Sequence, residues 1–405
     1  MTTKMPYGWG KVPFDFEDRK KWMDLPFPVE EYAARIERVR EKMRPRGFDA
    51  LVVYGTRGDR GPIRYLTNFE DYYKGDNLCA IPLEGEPAFI TNSVFHGEPM
   101  HSGVQHVWMR DVRCAAHPRT APDAVSVFDH LADVLRDRGL GGGKVALSGD
   151  AAAALKEPIS HVLPGAGLSD AGKIVAEAMT IKSPAEVQVL KESALVLDEA
   201  LHAAMVNAKP GVSEYELSGL AMEALFRNGA EGGNFPMALS SGPRAGFKHV
   251  PPVNRRLRKG DWVFADLGGV YKGYASDASR QTVAGGPSKA QRDFMEAQIA
   301  IVEAVLAEAK AGVRICDLAK VGIEAAREAG VEDHLYFRGH GISTFSHVPP
   351  SINPKNEAAL EEDMVFCFEP MLIRYEFGTA CVENMYHVTK DRLVTLNECP
   401  WRYWE

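Results

Sequence analysis

Residues 261–280 read Asp261-Trp-Val-Phe-Ala-Asp266-Leu-Gly-Gly-Val-Tyr-Lys-Gly-Tyr-Ala-Ser-Asp277-Ala-Ser-Arg280. The apolar run that ends at Asp266 predicts a buried strand. The glycines at 268, 269 and 273 predict a tight reversal, which puts Asp277 on the returning strand of a hairpin. A hairpin of this length brings Asp266 and Asp277 back toward each other.

Two anionic side chains in an apolar sheet cost free energy unless a cation pairs with them. A divalent metal ion is the simplest such cation. The alternative is that both aspartates face a loop and solvent. The hairpin residues alone do not distinguish the two interpretations.

Composition limits the classes of protein to consider. A chain of 405 residues with 45% hydrophobic residues can bury two large cores. The net charge of −8 argues against a nucleic-acid partner. The six cysteines form no CxxC pair, as expected of a cytoplasmic protein, and neither a signal peptide nor a membrane-spanning run is expected.

The first half of the chain predicts an α/β domain. Residues 1–28 form an aromatic N-terminal arm, expected to dock on its own domain or on a neighbouring subunit. Residues 29–170 alternate strand-like and helix-like runs. Helices are expected at 28–46 and 121–138, and strands at 50–54, 78–82, 88–90, 107–109 and 144–147.

The second half, residues 171–405, begins with long apolar-periodic helices and contains an internal repeat. Ser183, Pro184 and Glu186 predict a capped helix start. Three pairs of segments recur in the same order, 98 to 102 residues apart: Lys-Pro-Gly-Val at 209 with Lys-Ala-Gly-Val at 310, His-Val-Pro-Pro at 249 and 347, and Asp261-Trp-Val-Phe with Asp363-Met-Val-Phe. The repeat predicts a pseudo-twofold domain that holds a ligand between its halves.

The second copy supplies an acid on each of two strands and a histidine between glycines. Glu369 falls within one residue of the place that Asp266 holds in the first copy. Glu383 follows on the next strand. His340 lies in Arg-Gly-His-Gly-Ile, where the glycines allow the backbone to approach a metal.

These motifs resemble the M24 pita-bread metallohydrolases, a family that includes methionine aminopeptidase, Xaa-Pro aminopeptidase, prolidase and creatinase. The resemblance covers residues 30–394 and rests on Asp266-Leu-Gly, Asp277-Ala-Ser-Arg280, Gly339-His340-Gly-Ile, Phe368-Glu369-Pro-Met and Val382-Glu383. It implies an α/β creatinase-like N-terminal domain and an α+β pita-bread catalytic domain with a pseudo-twofold repeat. It also implies a homodimer.

The resemblance implies five metal ligands, Asp266, Asp277, His340, Glu369 and Glu383, and two divalent ions. In the family the residues that match Asp277 and Glu383 bridge the two metals. Mainly oxygen ligands suit Mn, Fe, Co or Zn. Two metals that share a bridging water suit amide hydrolysis, with Glu369 as the proton shuttle.

Further residues are predicted to contact the substrate. His249 and His347 match family histidines that contact substrate, and Tyr336, Arg374, Tyr375, Arg244, Arg64 and the loop 69–73 are further candidates. Arg280 is expected to orient Asp277 or a strand neighbour. Cys367 and Cys381 are interpreted as core residues.

The chain departs from the proline-peptidase pattern at two positions. Tyr336 stands where such enzymes usually carry a histidine, and Cys381 stands where they often carry an arginine. The leading hypothesis is therefore a two-metal hydrolase of a dipeptide or small amide. The alternatives are a metal-dependent lyase on a small metabolite and a binding protein on an inactive scaffold, which would have lost ligands that this chain keeps.

Overall fold

The computed structural model describes residues 16–21, 23–56, 61–71, 75–92, 106–115, 125–149 and 152–404. The chain divides into two compact units, residues 1–178 and 179–405. The predicted contributions of Trp9, Phe14, Trp22, Tyr72 and Tyr73 lie outside the described residues.

The first unit is built on a mixed sheet, as its alternating apolar runs predict. Its described helices are α1 Phe16–Arg19, α2 Val29–Met43, α3 Gly61–Thr67, α4 Val127–Asp137, α5 Ala152–Val162 and α6 Ile174–Ala178. Its described strands are β1 Ala50–Gly55, β2 Asn77–Pro82, β3 Ala88–Thr91, β4 Asp111–Cys114, β5 Lys144–Ser148 and β6 Gly167–Asp170. They lie in the order β4-β3-β2-β1-β5-β6.

Two features of the first unit differ from or sharpen the prediction. The expected strand at 107–109 is irregular, and the strand lies at 111–114 instead. The carbonyls of Val107 and Met109 accept hydrogen bonds from the buried guanidinium of Arg19 at 2.5 and 2.6 Å. These bonds also attach α1, the described part of the arm, to its own unit.

The second unit is an α+β structure. Its described helices are α7 Pro184–Val206, α8 Glu214–Arg227, α9 Lys289–Glu308 and α10 Ile315–Glu328. Its described strands are β7 Gly232–Gly233, β8 Ala238–Ser241, β9 Trp262–Tyr271, β10 Tyr274–Val283, β11 Leu335–Tyr336, β12 Gly339–Ile342, β13 Ser346–Ile352, β14 Val365–Phe368, β15 Met371–Arg374, β16 Gly378–Ala380, β17 Asn384–Val388 and β18 Leu393–Thr395.

The start of α7 is capped as predicted. Ser183 accepts a hydrogen bond from the N–H of Glu186, and the Glu186 carboxylate accepts one from the N–H of Ser183. Pro184 occupies the first helical position, where its missing N–H costs nothing.

The internal repeat is visible in the backbone hydrogen bonds. The N–H of Gly211 donates to Leu257, and the N–H of Gly312 donates to Leu360 in the same way, both at 2.8 Å. Ser213 bridges to Arg256 before α8, as Arg314 bridges to Ala359 before α10. The two halves therefore share a helix–strand connection as well as a sequence pattern, as the pseudo-twofold prediction requires.

Candidate metal centre

The β9–β10 hairpin presents both aspartates on one face. In the antiparallel register Asp266 lies opposite Ser279, and Asp277 lies two residues away on the same strand as Ser279. Directly opposed residues and alternate residues share a face of a sheet, so the two carboxylates point the same way. The hairpin that the sequence predicts is confirmed.

The position of the reversal is corrected. The chain turns at Lys272 and Gly273, which have φ angles of 48° and 78°, while Gly268 and Gly269 lie within β9. A Cβ atom at Gly268 would lie 2.5 Å from the ring of Phe235. That glycine therefore permits Phe235, which lies between β7 and β8, to pack closely against β9.

The second half brings its acids to the same place. His340 on β12 lies opposite Cys367 on β14, and Asn384 on β17 lies opposite Phe368. Glu369 and Glu383 are the next residues beyond that last pair, so they lie side by side. The N–H of Glu383 donates to the carbonyl of Ser279 on β10 at 3.2 Å, which joins this sheet to the hairpin.

The five predicted ligands come together and are all buried. Their residues are 1–5% exposed: Asp266, Asp277, His340, Glu369 and Glu383. The Nε2 atom of His340 lies 3.5 Å from Oδ2 of Asp277 and 3.6 Å from Oε1 of Glu369. Ligand atoms of Asp277, His340, Cys367 and Glu383 all lie within 4.8 Å of one another.

The polar atoms of this group lack the partners that burial demands. Oδ1 of Asp266 and Oε1 of Glu383 are buried and accept no hydrogen bond. A buried carboxylate oxygen without a partner costs free energy, and a cation would remove that cost. The donor set, four carboxylates and one imidazole, therefore fits divalent metal ions.

The protonation states support the same conclusion. Burial raises the pKa of Asp277 and Glu383 well above the usual range, and the neighbouring carboxylates add to the shift. Burial lowers the pKa of His340 to about 3, so its imidazole is neutral and its contacts with the carboxylates are not ion pairs. Four clustered carboxylates and a neutral imidazole form a site to which a cation would bind favourably.

Cys367 lies closer to the ligands than its interpretation as a core residue suggested. Its Sγ belongs to the group of possible ligand atoms and contacts the carbonyl of Asp277 at 3.8 Å. Burial raises the pKa of the thiol well above its usual range, and the neighbouring carboxylates raise it further. The sequence held a signal: Cys367 is two residues before Glu369 and therefore shares its face.

His249 and His347 stand at the opening of the site. Both have left-handed backbones, with φ angles of 56° and 69°. The Nε2 atom of His249 lies 2.9 Å from Oδ2 of Asp266. The ring of His347 stacks on that of His340, with centroids 4.0 Å apart. Both imidazoles are exposed, so they can reach a bound molecule.

Sequence reasoning missed three residues that support the ligands. The hydroxyl of Ser279 donates to Oε2 of Glu383 at 2.6 Å, and that of Ser346 donates to Oδ2 of Asp277 at 3.1 Å. The Nε atom of Arg338 lies 2.6 Å from Oε1 of Glu369. Of these three residues, only Ser279 could have been found from the sequence. It lies two residues after Asp277 on β10 and therefore shares its face of the sheet.

Arg280 supports a strand neighbour and not Asp277. Its buried guanidinium donates to the carbonyls of Ser279 and Glu383 at 2.8 and 2.7 Å. It also donates to the carbonyl of Pro400 at 2.8 Å. Arg280 therefore holds the backbone from which the Glu383 side chain projects.

Tyr336 and Arg374, two of the other predicted substrate contacts, differ in position. Tyr336 is 45% exposed, and the ammonium group of Lys248 lies 3.7 Å from its ring centroid. Lys248 precedes His249, so Tyr336 lies beside the opening of the site. Arg374 instead contacts Glu376 at 3.3 Å and the ring of Phe377. Contacts among the described residues do not join Arg374 to the metal ligands, and its role stays a prediction.

Glu369 leads to a test by pH. Burial raises its pKa from 4.5 to about 7, although Arg338 opposes the shift. Because the folded state binds this proton more tightly than the unfolded state, its contribution to stability is complete below pH 4.5 and is lost as pH rises through 7. In the absence of metal, the free energy of unfolding of the wild type should therefore fall between pH 4.5 and 7 relative to that of Glu369→Gln. Urea unfolding in the presence of a chelator measures this difference. Parallel pH profiles for the two proteins would contradict the assignment.

Comparison with known proteins completes the description of the site. Residues 188–390, half of the chain, match the profile of metallopeptidase family M24, and residues 35–178 match the creatinase/prolidase N-terminal domain. The chain belongs to metallopeptidase family M24. It is accordingly a metal-dependent hydrolase of the peptidase and amidohydrolase type.

Two relatives show the range of this M24 chain's similarities. It is 28% identical to ectoine hydrolase from Halomonas elongata, covering 93% of this chain and 98% of that protein. It is 27% identical to Xaa-Pro dipeptidase from Pyrococcus furiosus, covering 65% of this chain and 75% of that protein.

A solved structure confirms the fold. The X-Pro aminopeptidase from Thermotoga maritima matches with a TM-score of 0.79 and 23% identity, over 90% of this chain and 98% of that one. The pita-bread fold with a creatinase-like N-terminal domain is therefore confirmed. None of the described helices in this M24 chain combines the length and apolar content needed to cross a membrane.

Proposed function

We propose that this M24 enzyme hydrolyses an amide C–N bond in a small substrate that carries a carboxylate, such as an Xaa-Pro-type dipeptide or an acidic amide metabolite. Two divalent ions would be held by Asp266, Asp277, His340, Glu369 and Glu383. The observation that carries this proposal is the buried cluster of four carboxylates, two of whose oxygens accept no hydrogen bond. When bound, the ions would supply Lewis-acid activation of the attacking water and of the scissile carbonyl.

The protein's own residues would move the protons. Glu369 would accept a proton from water and pass it to the leaving nitrogen, the role that its position in the family motif implies. His249 and His347 would contact the substrate on either side of the scissile amide. Burial and the charge of Arg338 lower the pKa of His347, so a neutral ring is available to accept or donate one hydrogen bond.

Two cations at the opening support a substrate with a negative charge. The Nε and Nη2 atoms of Arg338 contact Glu369 and His347, and its three other N–H groups find no partner among the described residues. Lys248 contacts no carboxylate in the described part of the chain, and its ammonium group lies over the ring of Tyr336. Two metal ions would neutralise the four ligand carboxylates, so these cations remain available for a substrate carboxylate.

The substrate class is tested with matched pairs. Alanylproline and alanylprolinamide, and a set of N-acyl amino acids with their amides, contain the same scissile bond with and without the carboxylate. We expect the metal-loaded enzyme to favour each hydrolysed acid over its amide by about 10- to 100-fold in kcat/KM, the worth of one to two charge-assisted hydrogen bonds. Lys248→Met should reduce that ratio, and Lys272→Met, which removes a lysine paired with Glu192 at 2.9 Å, should not.

Each failure has a distinct meaning. Equal rates on acid and amide would contradict the proposal that the substrate carries a carboxylate, but not the proposal of amide hydrolysis. If protein with full metal content hydrolysed no amide, the proposed amide hydrolysis itself would be contradicted.

Elimination by a metal-dependent lyase is the alternative on the same fold. Hydrolysis in ¹⁸O-labelled water places one labelled oxygen in the new carboxyl group. Elimination gives an unsaturated product without label, so mass spectrometry of the products separates the two reactions.

The native metal and the assembly are further parts of the proposal. The donor set suits Mn, Fe, Co or Zn, and the resemblance to creatinase supports a homodimer. Elemental analysis of the purified protein and sedimentation analysis would test these two points. A cytoplasmic location is proposed on the scattered cysteines, all six of which are free thiols.

A further inference from the structure

Glu214, at the start of α8, is a buried carboxylate outside the metal ligands. Its residue is fully buried, yet both of its oxygens are satisfied. Oε1 accepts hydrogen bonds from the N–H and the hydroxyl of Ser241 at 2.9 and 2.7 Å. Oε2 accepts from the N–H of Val253 at 2.9 Å and pairs with the guanidinium of Arg244. Such complete pairing is what a buried charge requires.

These contacts bind both ends of one loop. Ser241 ends β8, and Val253 closes the segment that contains Lys248 and His249. Arg244 adds a tie within the loop, because its Nη2 atom donates to the carbonyl of Pro251 at 2.6 Å. The carboxylate of Glu214 therefore holds both ends of the segment 242–252 in place.

The histidine on this loop needs such support. His249 has a left-handed backbone, which costs a non-glycine residue free energy unless the surroundings impose it. Its side chain is 46% exposed, so packing does little to fix it. Its ring nevertheless lies 2.9 Å from Asp266, and this placement depends on the path of the loop.

The second half of the repeat shows the contrast. The residue that corresponds to Glu214 at the start of α10 is Ile315, which is fully buried and apolar. His347, the counterpart of His249, is an unpaired residue at a bulge in β13, and the residues on either side of it pair with β12. A carboxylate at the helix start is thus present where the histidine sits on a loop and absent where a strand carries it.

We infer that Glu214 is a positioning residue that acts through His249. It holds the loop so that the imidazole faces Asp266 and the bound substrate. This inference rests on the proposed function for its kinetic test, but it also makes a statement about the ring of His249 that needs no substrate.

A double-mutant cycle tests the inference. In Glu214→Gln the new amide N–H groups face the donors of Arg244 and Val253, so the loop should lose its anchor. We expect kcat to fall by at least about 10-fold with little change in KM, and metal content to remain that of the wild type. In a His249→Ala background the same change should cost less than about 2-fold, because the group it positions is already gone.

Asp198→Asn is the matched control. Asp198 is also a buried carboxylate, and it accepts hydrogen bonds from Asn397 at 2.8 Å and from the N–H of Cys399 at 3.1 Å, which hold a different segment. Its effect should be the same factor with and without His249. An equal loss from Glu214→Gln in both backgrounds would show that Glu214 is merely structural and would overturn the inference.

A spectroscopic measurement decides the matter even without turnover. In zinc-loaded protein with ¹³C-labelled histidine rings, the His249 signal is assigned by its absence in His249→Asn. Glu214→Gln should shift or broaden that signal, while Asp198→Asn should leave it unchanged. If Glu214→Gln fails to fold, Arg244→Met removes the ion pair to Glu214 and the hydrogen bond to Pro251, and it should give the same pattern. An unmoved His249 signal in the folded variant contradicts the inference.

Discussion

Replacement of Asp277 by alanine is expected to prevent the site from binding its full complement of metal and to abolish turnover. The variant should retain the fold. Asp277 is 4% exposed, and its Oδ2 atom lies 3.5 Å from the imidazole of His340. The substitution removes one of the carboxylates that would hold the metal ions. Elemental analysis after reconstitution, together with activity on a hydrolysed substrate, measures both effects.

The same substitution is not expected to lower the free energy of unfolding of the metal-free protein. Burial and the charges of Asp266 and Glu369 raise the pKa of Asp277, so the metal-free site is destabilised by its own carboxylates near neutral pH. Asp277→Ala should therefore leave the metal-free protein at least as stable as the metal-free wild type. Added metal should stabilise the wild type far more than the variant.

An exposed carboxylate provides the control. Asp317→Ala removes an acid that pairs with Arg314 and Lys320 at the surface of α10, so metal content and rate should not change. An Asp277→Ala protein with full metal content and full activity would contradict the ligand assignment itself.

His249→Ala is expected to lower the rate on the order of 10²-fold or more, the usual contribution of one positioned catalytic group. The variant should keep its metal, because His249 is not one of the predicted ligands. It should also fold normally, since the side chain is 46% exposed. Rate, metal content and thermal unfolding measured on one preparation separate these expectations.

His202→Ala is the matched histidine control. His202 is an exposed imidazole of the same unit that contacts the hydroxyl of Tyr403 at 3.3 Å, and its loss should leave the rate unchanged. If the rate of His249→Ala fell by less than about 3-fold, well below the range for a positioned catalytic group, His249 would have no catalytic role.

The proximity of the five candidate ligands could be predicted because each of them lies in a short local motif. Asp266 ends an apolar run, Asp277 follows a hairpin turn, and His340 is flanked by glycines, all of which are properties of consecutive residues. The internal repeat then indicated that Glu369 and Glu383 belong to a second half-site. The matching bonds of Gly211 and Gly312 arise from the same repeat.

The wrong predictions arose where contacts between distant residues decide the local structure. Glycine 268 was interpreted as part of the turn because glycine favours turns, but it serves close packing against Phe235. The strand expected at 107–109 is irregular, and two of its carbonyls accept hydrogen bonds from Arg19, about ninety residues earlier. Neither fact is contained in the neighbouring sequence.

The sequence by itself determined the alternation of strands and helices, the hairpin and the repeat, since apolar periodicity and turns are properties of neighbouring residues. Its motifs also carried the family resemblance that predicts the pita-bread fold and the five candidate ligands. Tertiary structure alone decided which side chains support the site. Ser279 meets Glu383 across 104 positions, and Glu214 meets Val253 across 39. Such pairs depend on the register between strands and on the path of loops, and these are set only when the separate elements pack together.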